Sequence, residues 1–260
     1  AYFIERGEVR FSGPAGELAS RPDLLRSVFL ADAAPAGHDA APAAEEALPP
    51  RGEPVLQLVD VTRRFGGIDA VSHVSFDVAA GEVLGLLGQN GAGKTTLFDL
   101  LTGFLAVDGG RVTLGDRDIT DLAPHRRAVL GLGRSFQEAL LYPSLTVVET
   151  IEVALERHLA NRDPVAAALR LPASTASERA ARERADGLVE TLGLTRFRDR
   201  PTGELSTGTR RIVELACLLA QDPAVVLLDE PTAGVAQAET EALVPLLRRV
   251  RAASGCSLVV

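Results

Sequence analysis

The fold is decided by Gly88-Gln89-Asn90-Gly91-Ala92-Gly93-Lys94-Thr95-Thr96, which follows the apolar run 83–87 and precedes the helix-like run 97–101. Strand, glycine-rich loop and helix stand in the order that the G-x-x-x-x-G-K-[ST] pattern requires. In this order the backbone N–H groups of the loop and the start of the helix converge on a phosphate. Residues 88–96 are therefore candidate nucleotide-binding residues. Lys94 would reach the β- and γ-phosphates, and the Thr95 hydroxyl would bind Mg²⁺.

The lysine content of the chain supports this interpretation. Among 27 lysine and arginine residues, Lys94 is the only lysine. A compact ammonium fits between phosphates inside a tight loop, where a planar guanidinium would not. The loop by itself indicates only a nucleoside triphosphate, because kinases, GTPases and many ATPases share it.

The overall composition limits the function classes. At 260 residues and 46% apolar content, the chain can bury a core of one or two domains. A net charge of −8 argues against a nucleic-acid partner, since no basic footprint is present. The two cysteines lack metal or redox spacing, so we expect them to be small buried side chains. No apolar run approaches the roughly 18 residues that cross a bilayer.

Three segments can be separated along the chain. Residues 1–30 predict a hairpin and a short helix, a piece too small to bury its own core. Residues 31–53 are rich in alanine and proline and predict a flexible linker. Residues 54–260 form the main domain. Because the chain lacks methionine and stops within an apolar, strand-like run, we expect it to be a fragment of a longer protein.

The main domain combines two kinds of pattern. Apolar and polar residues alternate in 55–61 and 71–78, as in half-buried antiparallel strands, whereas 146–194 has helical spacing. The run 224–228 is fully apolar and predicts a buried strand. We expect an α/β fold, a P-loop NTPase with a mixed sheet, an N-terminal antiparallel layer and an inserted helical subdomain at about 138–222.

Two acidic residues end the apolar strand. Asp229 and Glu230 directly follow Val225–Leu228, and carboxylates at the end of a buried strand are costly unless they bind a cation or take part in chemistry. In a P-loop ATPase the first would hold Mg²⁺ through water, and the second would polarise the attacking water. The alternative is an ordinary strand end.

A short segment before a predicted helix gives the next signal. Ser206 and Gly208 lie in the segment 205–211, and such a helix start can either bind an anion or simply be capped by the serine. Ser206 precedes Asp229 by 23 residues. In this segment the sequence resembles the nucleotide-binding subunits of ABC transporters, whose signature Leu-Ser-Gly-Gly-Gln lies at about this distance from the acidic strand.

The remaining elements of that family can also be matched. Phe65 stands 23 residues before Gly88, where the resemblance implies an aromatic ring that stacks on adenine. Gln137 closes the strand after the first helix, where the resemblance implies contact with Mg²⁺ and the attacking water, and a link to the helical subdomain that docks on membrane partners. Alone, the first would be read as a core aromatic and the second as a loop residue.

The chain departs from the family pattern at three places. Thr207 and Thr209 replace glycine and glutamine of the signature, and Ala236 stands where an acidic residue or asparagine is usual. None of the four histidines stands where the family has its switch histidine, and we expect the chain to stop before that residue. The isolated chain would then be an ATPase domain without hydrolytic activity.

The sequence of several segments, notably 63–71 and 124–137, resembles that of the ATPases of branched-chain amino-acid importers. Residues 1–30 resemble the closing hairpin and tail of another ABC ATPase domain. The resemblance implies ATP and Mg²⁺ as cofactors. It also implies two partners, a second ABC ATPase domain in the same or a fused chain and an integral membrane permease that would hold the cytoplasmic chain at the inner face of the plasma membrane.

Two alternatives to a transport motor remain. One is a soluble, non-transport ABC ATPase of translation or DNA repair, against which the short alanine- and proline-rich linker and the acidic charge argue. The other is an ATP-binding fragment that cannot hydrolyse. Residues 1–30 could also fold back across the linker and complete the sheet of 54–260, as in a circular permutant.

Overall fold

The computed structural model describes residues 1–20, 52–136, 141–159, 163, 169, 171–229 and 237–260, with the backbone alone for 237–243. Most of the linker expected at 31–53, together with Gln137 and Glu230, lies outside these residues. The described residues form two compact units, one of Ala1–Leu130 with Ser257–Val260 and the other of Gly131–Cys256.

The first unit contains most of the strands. In chain order its elements are β1 (Tyr2–Glu5), β2 (Glu8–Ser12), α1 (Ala15–Ala19), β3 (Pro54–Phe65), β4 (Ile68–Ala79), β5 (Val83–Leu84), β6 (Leu86–Gly88), α2 (Lys94–Thr102), β7 (Gly109–Leu114), β8 (Arg117–Asp118), α3 (Pro124–Val129) and, after the second unit, β11 (Ser257–Val259).

The predicted antiparallel layer is present in the first unit. Strands β3 and β4 are antiparallel, with Leu58 opposite Phe76, and β7 pairs with the other side of β3. Leu56 and Leu58, two residues apart, are buried as the alternation predicts, and Val61 is buried three residues further on because the register of β3 shifts between Leu58 and Val61. Strand β8 continues the sheet beyond β7.

The apolar run before the phosphate loop is not one strand with one partner. The run divides at Gly85 into β5, which is parallel to β11, and β6, which is parallel to β1. Gly85 accepts a hydrogen bond from the backbone N–H of Tyr2 at 2.8 Å, and Leu86 donates to Val260 at 2.7 Å. The chain therefore changes hydrogen-bonding neighbours at this glycine, a feature that the sequence did not indicate.

The amino-terminal hairpin packs within the same unit. Strands β1 and β2 are antiparallel, and β1 lies parallel to β6 with Phe3 opposite Leu87. Phe3 also joins Phe11 and Leu18 in a small buried cluster. The expected fold-back onto the main domain is thus confirmed for the first twenty residues.

A buried arginine closes the end of helix α2. Arg127 of α3 donates hydrogen bonds to the carbonyls of Leu100 and Leu101, in the last turn of α2, and to those of Leu122 and Thr120, at 2.6 to 2.8 Å. The side chain is 2% exposed. Burial lowers the pKa of its guanidinium, although the group stays charged at any ordinary pH.

The second unit is mainly helical. Its elements are β9 (Leu132–Ser135), α4 (Val147–Leu155), α5 (Pro172–Thr191), α6 (Thr207–Leu219), β10 (Val225–Leu228) and α7 (Gln237–Ser254), with short 3₁₀ turns at Glu156–His158, Thr195–Phe197 and Thr202–Glu204.

These elements match the predicted helices and the predicted buried strand. All four residues of β10 are buried, and β10 is parallel to β9 with Val225 opposite Leu132. Helix α4 begins with a capping box in which Thr146 and Glu149 exchange side-chain and backbone hydrogen bonds. Within the described part of the chain, no helix is both long and apolar enough to span a membrane.

Candidate functional site

The phosphate loop of the first unit lies between a strand and a helix, in the predicted order. The loop leaves β6 at Gly88 and enters α2 at Lys94. Gly91 and Gly93 have φ angles of 80° and 102°, in the left-handed region that other residues avoid. A Cβ at Gly91 would meet no other atom within 4 Å, because this part of the loop is exposed. The loop thus reaches the start of helix α2 through two glycines in the left-handed region, and it is exposed at the first of them.

The ammonium of Lys94 lies over the entrance of this loop. Its Nζ donates hydrogen bonds to the carbonyl oxygens of Gly88 at 2.5 Å and Gln89 at 3.1 Å. Both acceptors are neutral, and hydrogen bonds between two charged groups are stronger than those to neutral oxygens. A phosphate in the loop would therefore compete well with the two carbonyls for this ammonium. The N–H donors of Lys94 fit the phosphates of a nucleotide.

The other loop residues differ in how far they are exposed to solvent. Thr95, whose hydroxyl is the candidate Mg²⁺ ligand, is exposed at the first turn of α2, and Asn90 is also exposed. Ala92 is buried at 4% exposure, which anchors the loop to the core. Gln89 and Thr96 are half-buried. A hard cation prefers oxygen ligands of this kind, so Thr95 suits Mg²⁺.

The aromatic residue expected to contact adenine is Phe65, the last residue of β3. Its side chain is 45% exposed, unlike the core aromatic that was the alternative interpretation. The guanidinium of Arg63 lies 4.9 Å from its ring centroid and is itself held by Asp108 at 2.8 Å. The ring is thus positioned by a fixed cation while part of its surface stays open for stacking.

The acidic strand end belongs to the second unit. Asp229 directly follows β10 and is 5% exposed. The Nη2 atom of Arg134 lies 3.1 Å from its Oδ2 atom. Arg134 belongs to β9, where the strand register places it opposite Leu227. A carboxylate in this position is buried with a charge partner, which is what burial of an ionised group requires.

Arg134 was not predicted as a residue of the site. The only available signal was a cation within the strand segment Leu132–Ser135, where a charged side chain needs a partner. Among the described residues, no group of three or more His, Cys, Asp or Glu side chains could hold a metal ion. A single carboxylate such as that of Asp229 binds Mg²⁺ together with further oxygen ligands, for example phosphates and water.

The signature segment of the second unit lies at the start of helix α6. Ser206 is the N-cap of α6, and its Oγ accepts a hydrogen bond from the backbone N–H of Thr209 at 3.2 Å. The two hydroxyls of these residues lie 3.0 Å apart. Ser206 is exposed and Gly208 is in the first turn of the helix. The helix start is thus capped and accessible.

The two residues expected to act on the attacking water, Gln137 and Glu230, lie outside the described residues. The backbone just before the first of them is held, because Phe136 donates its N–H to Oε1 of Glu214 at 3.0 Å. Burial raises the pKa of Glu214. This contact joins helix α6 to the chain next to Gln137 within the second unit.

A family profile, related proteins and solved structures all match this chain to the same kind of protein. A family profile described as ABC transporter matches residues 71–233. BraF of Pseudomonas aeruginosa, a high-affinity branched-chain amino acid transport ATP-binding protein, is 39% identical over 198 residues, which cover 76% of this chain and 77% of BraF. LivG of Salmonella typhimurium, described in the same words, is 35% identical over 199 residues, which cover 76% and 78%.

Solved structures give the same result for the fold. The ADP conformation of MJ1267, an ATP-binding cassette of an ABC transporter, matches this chain with a TM-score of 0.65 and 30% identity, over 79% of this chain and 80% of the other. The predicted α/β fold of the P-loop NTPase type is confirmed by this likeness. The chain therefore belongs to the ABC transporter family and is one of its ATP-binding domains.

Proposed function

We propose that this chain is the ATP-hydrolysing motor of an ABC importer for branched-chain amino acids or similar small polar solutes. The observation that carries the proposal is the ammonium of Lys94, held by two loop carbonyls at the start of helix α2. BraF and LivG, whose descriptions name branched-chain amino acid transport, support the cargo. The motor would act on a permease in the membrane and pair with a second ABC ATPase domain, in the same or a fused chain.

In this proposal the loop residues Gly88–Thr96 bind the phosphates of ATP, and Phe65 stacks on the adenine. Ser206 and Gly208 of one domain contact the γ-phosphate held by the loop of the other. Because both contacts are made to one nucleotide, ATP would join the two domains as a sandwich. Hydrolysis is phosphoryl transfer to water, in which positioning and charge stabilisation supply nearly all of the acceleration.

The acidic residues and the glutamine would act on the cation and on water. Asp229 and Thr95 suit Mg²⁺ by their oxygen donors, with Gln137 as a further ligand, and Glu230 would orient and polarise the attacking water. Bound Mg²⁺ would neutralise charge on the phosphate oxygens. Arg134 would balance the charge of Asp229 within its buried site.

The single lysine allows a direct test of nucleotide binding. An amine-reactive acylating reagent can modify only Lys94 and the N-terminal amine of this chain. Saturating MgATP is expected to slow acylation of Lys94, measured by mass spectrometry, and to leave the N-terminal amine unaffected as an internal control. Equal acylation of Lys94 with and without ATP would contradict the proposed site.

Two substitutions separate binding from hydrolysis. Lys94→Ala is expected to abolish ATP binding, and Lys94→Arg should not restore it, because a planar guanidinium does not replace the compact ammonium. Glu230→Gln should retain ATP binding and stop hydrolysis in the complete transporter. Unchanged turnover in Glu230→Gln would remove the assigned role of this carboxylate.

The cargo needs a separate experiment. Cells that produce the motor together with its permease should take up labelled leucine, isoleucine or valine, and Lys94→Ala should stop that uptake. ATP hydrolysis without uptake of any of these amino acids would contradict the cargo while leaving the ATPase intact. ATP hydrolysis with no permease dependence would favour a non-transport ABC ATPase.

A further inference from the structure

The turn of the amino-terminal hairpin, Glu5–Glu8, lies directly against the phosphate loop. The backbone N–H of Gly7 donates a hydrogen bond to the carbonyl of Ala92 at 2.9 Å. The carbonyl of Gly7 in turn accepts from the N–H of Ser72 in β4 at 2.8 Å. One residue of the turn thus connects the antiparallel layer with the loop.

The bond to Ala92 fixes the direction of the next amide of the loop. A trans peptide unit is planar, so its C=O and N–H groups point in opposite directions, and none of the peptide bonds is cis in the described residues. Because the carbonyl of Ala92 points at Gly7, the N–H of Gly93 points away from the turn. This amide directly precedes Lys94, in the part of the loop where phosphate is expected to bind.

The turn and the loop each approach the backbone of Ala70 in β4 at a glycine. A Cβ at Gly7 would lie 2.7 Å from the carbonyl oxygen of Ala70, and a Cβ at Gly93 would overlap that same oxygen. A Cβ at Gly88 would overlap the carbonyl oxygen of Ile4. A side chain at Gly7 or Gly93 would therefore clash with Ala70 in β4, and a side chain at Gly88 would clash with β1 of the hairpin.

The turn Glu5–Glu8 can hold the phosphate loop in place because its own backbone is constrained. Arg6 and Gly7 both have positive φ, 51° and 80°, as in the tight two-residue turns that match the twist of a hairpin. The hairpin is secured on one side by its pairing with β6 and by a buried cluster that contains Phe3 and Phe11.

We propose that Gly7 is a positioning residue for the phosphate loop, which holds the Ala92–Gly93 peptide so that the N–H of Gly93 is directed to the phosphates of ATP. Gly7 itself does not touch the nucleotide. The inference rests on the proposed binding of ATP at the loop and assigns the amino-terminal hairpin a part in it.

The first test compares two alanine substitutions in the whole 260-residue chain. Gly7→Ala introduces a Cβ at a positive φ and against Ala70, whereas the matched control Gly16→Ala adds a Cβ that meets open space in α1. Calorimetric titration should give an ATP Kd about tenfold higher for folded Gly7→Ala, the equivalent of one hydrogen bond of about 1.4 kcal/mol. Gly16→Ala should bind ATP like the wild type.

The second test needs no substitution, so it holds even where Gly7→Ala fails to fold. Coupling between two sites is reciprocal, so a turn that favours ATP binding must itself be stabilised by ATP. Hydrogen exchange of the wild-type chain should slow at residues 5–8 as well as at 88–96 when MgATP is added. Protection of 88–96 without any change at 5–8 would overturn the inference.

The outcomes for the two proposals can be told apart. Normal ATP affinity in folded Gly7→Ala contradicts the positioning role alone. Failure of the wild-type chain to bind ATP contradicts the proposed function and, with it, this inference. A lower melting temperature of Gly7→Ala with an unchanged ATP Kd would make the turn a purely structural element and also overturn the positioning role.

Discussion

Replacing Arg127 by methionine would test how strongly one buried arginine stabilises the phosphate-loop helix. Its guanidinium donates hydrogen bonds to four backbone carbonyls, two of them in the last turn of α2. Methionine keeps an unbranched apolar side chain but has no donor, so all four acceptors lose this partner. The positive charge near the carboxyl end of α2 is lost as well, and a cation there is favourable for the helix dipole.

The magnitude follows from two opposing effects. Each hydrogen bond to a charged group contributes about 1.5–3 kcal/mol, whereas burial of the guanidinium carries a desolvation cost. Each buried carbonyl left without a donor costs about 1–3 kcal/mol, and relief of the guanidinium's desolvation cost offsets part of the sum, so we expect about 3–5 kcal/mol for Arg127→Met. For a chain of this size the melting temperature should fall by about 10 °C.

The assay is thermal and urea unfolding followed by circular dichroism, with Arg126→Met as the matched control. Arg126 precedes Arg127 in α3 but is exposed, so its replacement should change the unfolding free energy by less than about 0.5 kcal/mol. Arg127→Lys should be intermediate, because one ammonium cannot reach four carbonyls in the plane of a guanidinium. Equal effects of the two methionine substitutions would refute the reasoning.

Three further predictions concern the second unit. Because burial raises the pKa of Glu214 above its usual 4.5, the folded state binds this proton more tightly than the unfolded chain. Its contribution to stability should be lost as pH rises through the folded pKa, and Glu214→Gln should flatten that part of the urea-unfolding profile. Burial and the nearby Glu214 raise the pKa of Cys217 to about 12. Iodoacetamide at pH 8 should therefore label this thiol only after unfolding. Rapid labelling of Cys217 in the native chain would contradict this prediction. Thr146→Ala should remove the capping box of α4 and cost about 1 kcal/mol in unfolding free energy, whereas Thr146→Ser should restore most of it.

The phosphate loop could be predicted from the sequence because all its determinants are local. The strand, the glycines, Lys94 and the helix lie within residues 83–102, and each is specified by its near neighbours. The same holds for β3 and β4, where the alternation of apolar and polar residues marks the buried face. Local periodicity does not name hydrogen-bonding partners, however, so the change of partner at Gly85 went unrecognised.

The two buried arginines could not be predicted, for a related physical reason. Arg126 and Arg127 are adjacent and chemically identical, and α3 is only six residues long, too short for periodicity to tell the buried one from the exposed one. Arg134 and Asp229 are 95 residues apart in sequence and meet through the register of β9 and β10. Such contacts depend on tertiary packing, which a single sequence does not reveal.

At Ser206, helix capping and anion binding were alternative interpretations of the sequence, and the structure makes them compatible. A hydroxyl has one proton to donate and two lone pairs that accept. The backbone N–H of Thr209 uses one lone pair, and the Thr209 hydroxyl, 3.0 Å away, can donate to the other. In that arrangement the proton of Ser206 is left for a phosphate. Helix capping and γ-phosphate contact are then compatible, and threonine in place of the usual glutamine supports the serine orientation that both roles require.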